Sequence, residues 1–126
     1  MSKYNSRRVS VGGITFDSVR EAKRFQELYY LQKVGAISEL DLQVKFELVP
    51  AQYETYERYG KRGQRLKDGQ KCVERAATYV ADFVYKQGGQ TIVEDAKGYQ
   101  KGTAYDLFVI KRKLMLHVHG IKVREV

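Results

Sequence analysis

Residues 37–49, ISELDLQVKFELV, alternate cleanly, with Leu40, Leu42, Val44, Phe46 and Leu48 on one side and Asp41, Gln43, Lys45 and Glu47 on the other. A period of two over that length predicts a half-buried β-strand, and Pro50 ends it. Upstream, VSVGGITF (9–16) reads as a small hairpin turning on Gly12-Gly13. The period then changes to helical. Ser18 followed by Glu21 is a capping-box signature, Ala22, Phe25, Leu28 or Tyr29, and Gln32 make one stripe, and Gly35 closes the helix. Two more strands follow at 75–85 (RAATYVADFVY) and 91–97 (TIVEDAK), joined through Gly88-Gly89. A helix is predicted over 103–119, with Leu107, Ile110, Leu114 and Val118 as its apolar line, and IKVREV supplies a last short strand. Helix, three antiparallel strands, helix, strand is a single α/β (α+β) domain spanning 1–126, with a mixed sheet flanked by helices.

Between Ala51 and Lys71 the pattern fails. AQYETYERYGKRGQRLKDGQK is polar, basic and tyrosine-rich, and it reads as a long loop or a hairpin arm. A segment of this length without a buried face is often functional in a compact domain.

Charge narrows the class of partner. Lys and Arg number 23 against 15 Asp and Glu, a net charge of +8. Such a surface attracts polyanions through counterion release, and the chain has no basic amphipathic helix at either end to favour a membrane surface. No apolar run approaches the ~18 residues of a span, and the first ten residues lack the apolar core of a secretory signal. The expectation is a nucleic-acid partner, no membrane, and a cytoplasmic setting. A single cysteine, Cys72, agrees with a reducing compartment. His117 and His119 diverge by about 200° on a helix and cannot share a metal there; they sit beside a helix C-terminus with Gly120 as cap.

The strand TIVEDAK carries Glu94, Asp95 and Lys97 where a space-filling strand would carry apolar residues. If Gly88-Gly89 is a two-residue loop, Tyr85 faces Ile92, Val84 faces Val93, Phe83 faces Glu94, Asp82 faces Asp95 and Val80 faces Lys97. Directly opposed carboxylates have Cβ atoms about 5 Å apart and repel, so one is driven towards its protonated form unless a cation intervenes. That cation is Lys97 or a divalent metal, and the oxygens of Asp82 and Asp95 with the Ala96 carbonyl suit Mg²⁺ or Mn²⁺. On this register Asp95 and Lys97 face the site and Glu94 points away, while a one-residue bulge would bring Glu94 round instead. Glu21 lies on the buried stripe of the first helix, where it either joins this site or only completes the Ser18 cap. The competing reading is a solvated ion cluster at a sheet edge.

Asp82, a hairpin, then Asp95-Ala96-Lys97 resembles the signature of the PD-(D/E)XK nuclease superfamily, and the αβββαβ order with an early-helix Glu21 matches its restriction-endonuclease-like core. More closely, KYNSRR, ITFDSVREAKRFQEL, YVADFVY, VEDAKG and IKRKL are similar to a family of small phage and prophage proteins related to phage endonuclease I. That likeness covers nearly the whole chain outside 51–71. Ala81 stands before Asp82 where the superfamily signature has proline, a departure many active members share.

The resemblance implies a metal-dependent endonuclease. Asp82 and Asp95 would hold Mg²⁺ (or Mn²⁺), Glu21 would ligate a second ion or a bound water, and Lys97 would orient or deprotonate the attacking water. It also implies branched DNA such as a Holliday junction as substrate, and a homodimer. DNA contacts are expected from Lys101 and the amides at the start of the second helix, and from Lys111, Arg112 and Lys113, of which at most two can face one duplex. Lys61, Arg62 and Arg65 in the 51–71 segment are further candidates. A catalytically silent nucleic-acid-binding module or a phage assembly protein are the alternatives; paired carboxylates would repel phosphate in a module that only binds.

Overall fold

The computed structural model describes residues 8–98 and 100–126. Residues 1–7, which include most of KYNSRR, and Tyr99 of KGYQKGTAY lie outside the described residues.

The chain is an α+β fold with a mixed sheet. β1 (Val9–Val11) and β2 (Ile14–Phe16) form the small N-terminal hairpin, turning through positive φ at Gly12 and Gly13. α1 (Val19–Lys33) follows, with the Ser18 side chain accepting from the Glu21 amide at 3.1 Å. Only half of the expected capping box forms as such. The Glu21 carboxylate reaches past Ser18 to accept from the Asp17 amide at 3.4 Å. The central sheet has the order β3 (Ser38–Val49), β6 (Ala77–Gln87), β7 (Gln90–Asp95), β8 (Val123–Glu125). Its first three strands pair antiparallel and β8 adds in parallel. The core order is therefore αβββαβ, with β4 (Gln52–Tyr59) and β5 (Arg65–Glu74) inserted between β3 and β6.

Two apolar clusters hold the helices to the sheet. Phe16, Ala22, Leu28 and Ile37 pack with Phe83, Tyr85 and Ile92 under α1. Leu48, Tyr79, Ala81, Val93 and Val123 pack with Phe108 and Met115 of the C-terminal helix. β6 is long enough to serve both: Phe83 and Tyr85 belong to the first cluster, Tyr79 and Ala81 to the second, and Asp82 falls at the changeover.

Two expectations need correction. Of the apolar line Leu107, Ile110, Leu114, Val118, only Leu114 packs against the core. Leu107 and Ile110 are 52% and 56% exposed, and Phe108 and Met115 are buried instead. Two apolar lines of helical spacing run along this segment, and spacing cannot say which one meets the sheet. The Tyr79 ring, 6.2 Å from that of Phe108, is part of what selects the second. The helix is also not uniform: α2 (Thr103–Leu114) widens into a π-helical turn (Met115–His119) before Gly120 closes it at φ +69°. Of the two readings of 51–71, the hairpin arm is the one that forms. β4 and β5 make a separate two-stranded antiparallel sheet. Neither strand buries a face, which is why no apolar alternation announced them.

Candidate active site

The β6–β7 register runs as the two-residue turn requires, from Gln87 opposite Gln90 to Phe83 opposite Glu94. There the ladder stops, so Asp82 and Asp95 are not a ladder pair and Val80 does not face Lys97. The strands part, and the Ala96 amide turns to donate to Asp82 Oδ2 at 2.9 Å. Past the fork, β7 is held from its other side. Val126 donates to the Asp95 carbonyl at 2.9 Å, and Lys97 donates to the Val126 carbonyl at 3.2 Å.

Asp95 is 4% exposed. One oxygen pairs with Lys97 Nζ at 2.9 Å and the other accepts from the Tyr79 hydroxyl at 2.6 Å. Lys97 in turn lies 4.4 Å above the Phe108 ring, so its ammonium is placed by a cation–π contact as well as by the carboxylate. Asp82 Oδ1 accepts from the Gln43 amide at 3.2 Å. Gln43 adopts φ +52° in the middle of β3, a left-handed conformation that costs a non-glycine residue about 1 kcal/mol. Glu21, 8% exposed, brings its carboxyl against that of Asp82. The helix start thus serves both the cap and the site.

Glu94 does point away, but not into solvent. It is 1% exposed on the α1 side, where Arg24 grips both its oxygens at 2.8 and 2.7 Å and the Tyr85 hydroxyl donates to one of them. Consecutive carboxylates on β7 therefore serve opposite faces, one tying the strand to α1 and the other lying at the fork.

The carboxylates disfavour one another's charge. Burial, then the adjacent Glu21 carboxyl, push Asp82 up to about 6, against the opposing hydrogen bonds from Ala96 and Gln43. Burial and the Asp82 charge also raise Asp95, while Tyr79 and Lys97 oppose the rise. Folded Asp82 holds its proton more tightly than the unfolded chain, whose carboxyl titrates at the ordinary 3.8. Its stabilising contribution is complete below about pH 4 and is lost as pH rises through about 6. In metal-free buffer the wild type should lose about 1–2 kcal/mol of unfolding free energy relative to Asp82→Asn between those limits, after allowing for partial exposure. Urea denaturation of both proteins across this range checks it, and parallel pH profiles would contradict the coupling.

Among the described residues, no group of three or more His, Cys, Asp or Glu is arranged as a site that could hold a metal ion. Both oxygens of Asp82 and of Asp95 already have protein partners. The donors nevertheless fit a hard cation in kind and in charge. They are carboxylate oxygens, and burial first, then the neighbouring carboxyl groups, raise Asp82 and Asp95, a penalty on their charged forms that a divalent cation would offset.

Beside the fork lies a groove of about 450 Å³ lined by Arg20, Lys97, Gly98, Gln100 and Lys101. Three cations on one groove make an anion-attracting surface next to the acids. Gly102 is the N-cap of α2, and among the described residues no side chain caps the first amides of the helix. Of the basic residues expected on α2, Lys113 is exposed and Lys111 half-buried, while Arg112 is turned to Glu125 at 3.7 Å. In the hairpin, Lys61 and Arg62 are exposed, whereas Arg65 is tied to Asp68 at 2.5 Å.

Sequence reasoning missed Arg20, Gln43 and Tyr79. Arg20 follows the cap by two and precedes Glu21, so its place in the first turn was available as a signal. Gln43 and Tyr79 were read only as strand positions, and their roles arise from contacts across the fold.

Residues 1–124 match the family model described as "Protein of unknown function (DUF1064)". The chain belongs to the DUF1064 family. No curated protein and no solved structure matches this DUF1064 chain. The candidate site of the DUF1064 chain is accordingly built on its own geometry. No helix among its described residues is long and apolar enough to cross a membrane.

Proposed function

We propose that the chain is a metal-dependent DNA endonuclease that hydrolyses phosphodiester bonds, with Asp82, Asp95, Lys97 and Glu21 as its active site. The observation that carries the reading is the fork itself. Asp82, Asp95 and Lys97 converge where β6 and β7 part, Glu21 touches Asp82, and a cationic groove opens alongside. A purely structural ion cluster gains nothing from holding Asp82 and Asp95 above the ordinary carboxylate range, with Glu21 against Asp82. The resemblance to PD-(D/E)XK nucleases assigns the same four residues.

Asp82 and Asp95, with Glu21, would hold Mg²⁺ or Mn²⁺. When bound, the cation lowers the pKa of a coordinated water and offsets charge on the phosphoryl oxygens. The chain's own groups do the rest. Tyr79 fixes one oxygen of Asp95, and Gln43 with the Ala96 amide fixes both oxygens of Asp82. The Lys97 ammonium orients the attacking water and stabilises charge developing on phosphorus. Arg20 and Lys101 bind the phosphates that flank the scissile one. The preferred substrate on this reading is branched DNA in phage DNA processing, in the host cytoplasm; that preference and a homodimer rest on the resemblance alone.

The test is cleavage of an end-labelled four-way junction and its matched linear duplex with Mg²⁺ or Mn²⁺, with Asp95→Ala run in parallel. Metal-dependent cutting that vanishes in the variant is the expected result. Equal cutting of both substrates would keep the nuclease and discard the junction preference. Binding without cutting in either metal would overturn the enzymatic reading.

A further inference from the structure

The hairpin of β4 and β5 has no place in the site described above. All eight residues of β4 are exposed, and in β5 only Leu66 and Gly69 are half-buried. A two-stranded hairpin with both faces in water is marginal by itself, so its order here comes from growing out of β3 and β6 and from its own contacts. The Tyr56 ring lies on Gly69, where a Cβ would come within 2.4 Å of it. The Tyr59 ring lies beside the Arg65 guanidinium at 5.8 Å, and its hydroxyl donates to Glu57 at 2.6 Å. The tip is a formed loop. Gly60 donates to the Gln64 carbonyl at 2.9 Å, Gly63 donates to the Gly60 carbonyl at 2.9 Å, and the Arg62 amide donates to the Gln64 side chain at 3.1 Å.

Charge concentrates at that tip. From Arg58 to Lys67 the residues Arg58, Lys61, Arg62, Arg65 and Lys67 are basic, and none is acidic. Among the described residues, no carboxylate lies within 4 Å of the Arg58, Lys61, Arg62 or Lys67 head groups, and only Arg65 is paired. The arm also starts close to the fork. Val49 and Ala77 close the β3–β6 ladder at its base, and Tyr79, two residues on, holds Asp95. Eight residues of extended strand reach about 27 Å at ~3.4 Å per residue.

We propose that this hairpin is a β-ribbon arm that enters the major groove of double-helical DNA and grips its phosphates with Lys61 and Arg62 at the tip. The inference rests on the reading of the chain as a DNA-acting enzyme and makes its substrate at least partly duplex. A two-stranded ribbon fits the ~12 Å major groove of B-form DNA, while the major groove of an RNA duplex is too deep and narrow. Stacking on single-stranded bases is disfavoured by the tyrosines. The strand period puts Tyr53 and Tyr59 on one face and Tyr56 on the other, and the Tyr56 and Tyr59 rings are already engaged within the hairpin.

The test is fluorescence anisotropy in EDTA with the full chain. The probes are a DNA duplex of about 20 base pairs, two helical turns, one of its single strands, and an RNA duplex of the same sequence. Wild type should bind the DNA duplex tightest. Lys61→Ser/Arg62→Ser should weaken that binding and reduce the slope of log K against log salt by about 2, one for each lost phosphate contact. An unchanged slope overturns the arm, as does tighter binding of the single strand or the RNA duplex. Because the readout is binding, the arm and the enzyme fail separately. Loss of slope in a chain that fails to cut DNA with either Mg²⁺ or Mn²⁺ would uphold the arm and remove the nuclease.

Discussion

Arg24→Ala is expected to cost about 3–5 kcal/mol of folding stability, the largest effect of any single substitution near the site. Glu94 is 1% exposed and Arg24 is the cation beside it, bonded to both its oxygens. The pairing raises the Arg24 guanidinium still further above its ordinary value, chiefly through the Glu94 hydrogen bond. Burial and the same carboxylate push the Tyr85 hydroxyl up to about 12. Truncating Arg24 strands a charge that has left water and has only the Tyr85 hydroxyl remaining. The pair itself need not be worth that much. Replacing both members by leucine removes the stranded charge and should recover most of the loss. Urea denaturation of Arg24→Ala and of Arg24→Leu/Glu94→Leu reads both. A wild-type midpoint for Arg24→Ala would mean that Glu94 does not depend on this partner. The consequence reaches the site, because Glu94 ties to α1 the strand that carries Asp95 on its other face.

On the proposed nuclease reading, Lys97→Met is expected to lower the single-turnover rate of DNA cleavage with Mg²⁺ by about 10²–10³, the usual loss when one electrostatic group is removed from a transition state. Methionine loses the ammonium–ring contact with Phe108 but offers an unbranched apolar chain of similar reach that can lie against the same ring, so the fold should persist. It also frees the Asp95 oxygen that Lys97 engages at 2.9 Å, so binding of the metal alone should hold or tighten. That split separates a role in chemistry from a role in assembling the site. Lys97→Arg should not restore the rate, since guanidinium stays protonated and presents a wider, planar head. A Lys97→Met chain that cuts at the wild-type rate would remove Lys97 from the mechanism.

Most of the architecture was legible in the chain itself, for reasons that are local. The β3 strand showed through its alternation, α1 through Ser18 and its stripe, and the β6–β7 register through Gly88-Gly89. A two-residue turn leaves no freedom of register, so Glu94 was correctly sent to the face away from Asp95. What lay beyond local rules was decided in three dimensions. Leu107 and Ile110 looked like a core line and lie exposed, because helical spacing admits two faces and only the sheet under α2 chose Phe108 and Met115. The 51–71 hairpin showed no pattern because it buries neither face.

The site divides in the same way. Asp82, Asp95, Lys97 and Glu21 stood out by type and position, since charges on an otherwise apolar face or stripe are rare enough to notice. The sequence by itself determined β3, β6 and β7, the β6–β7 register as far as Phe83 and Glu94, and the opposite faces of Glu94 and Asp95, all consequences of periods and turn lengths. Only the tertiary structure decided where the β6–β7 ladder opens, how Gln43 and the Ala96 amide capture Asp82, and how Tyr79 reaches Asp95. Those contacts join residues 14 to 39 positions apart, and no local period or turn length encodes a meeting at that separation.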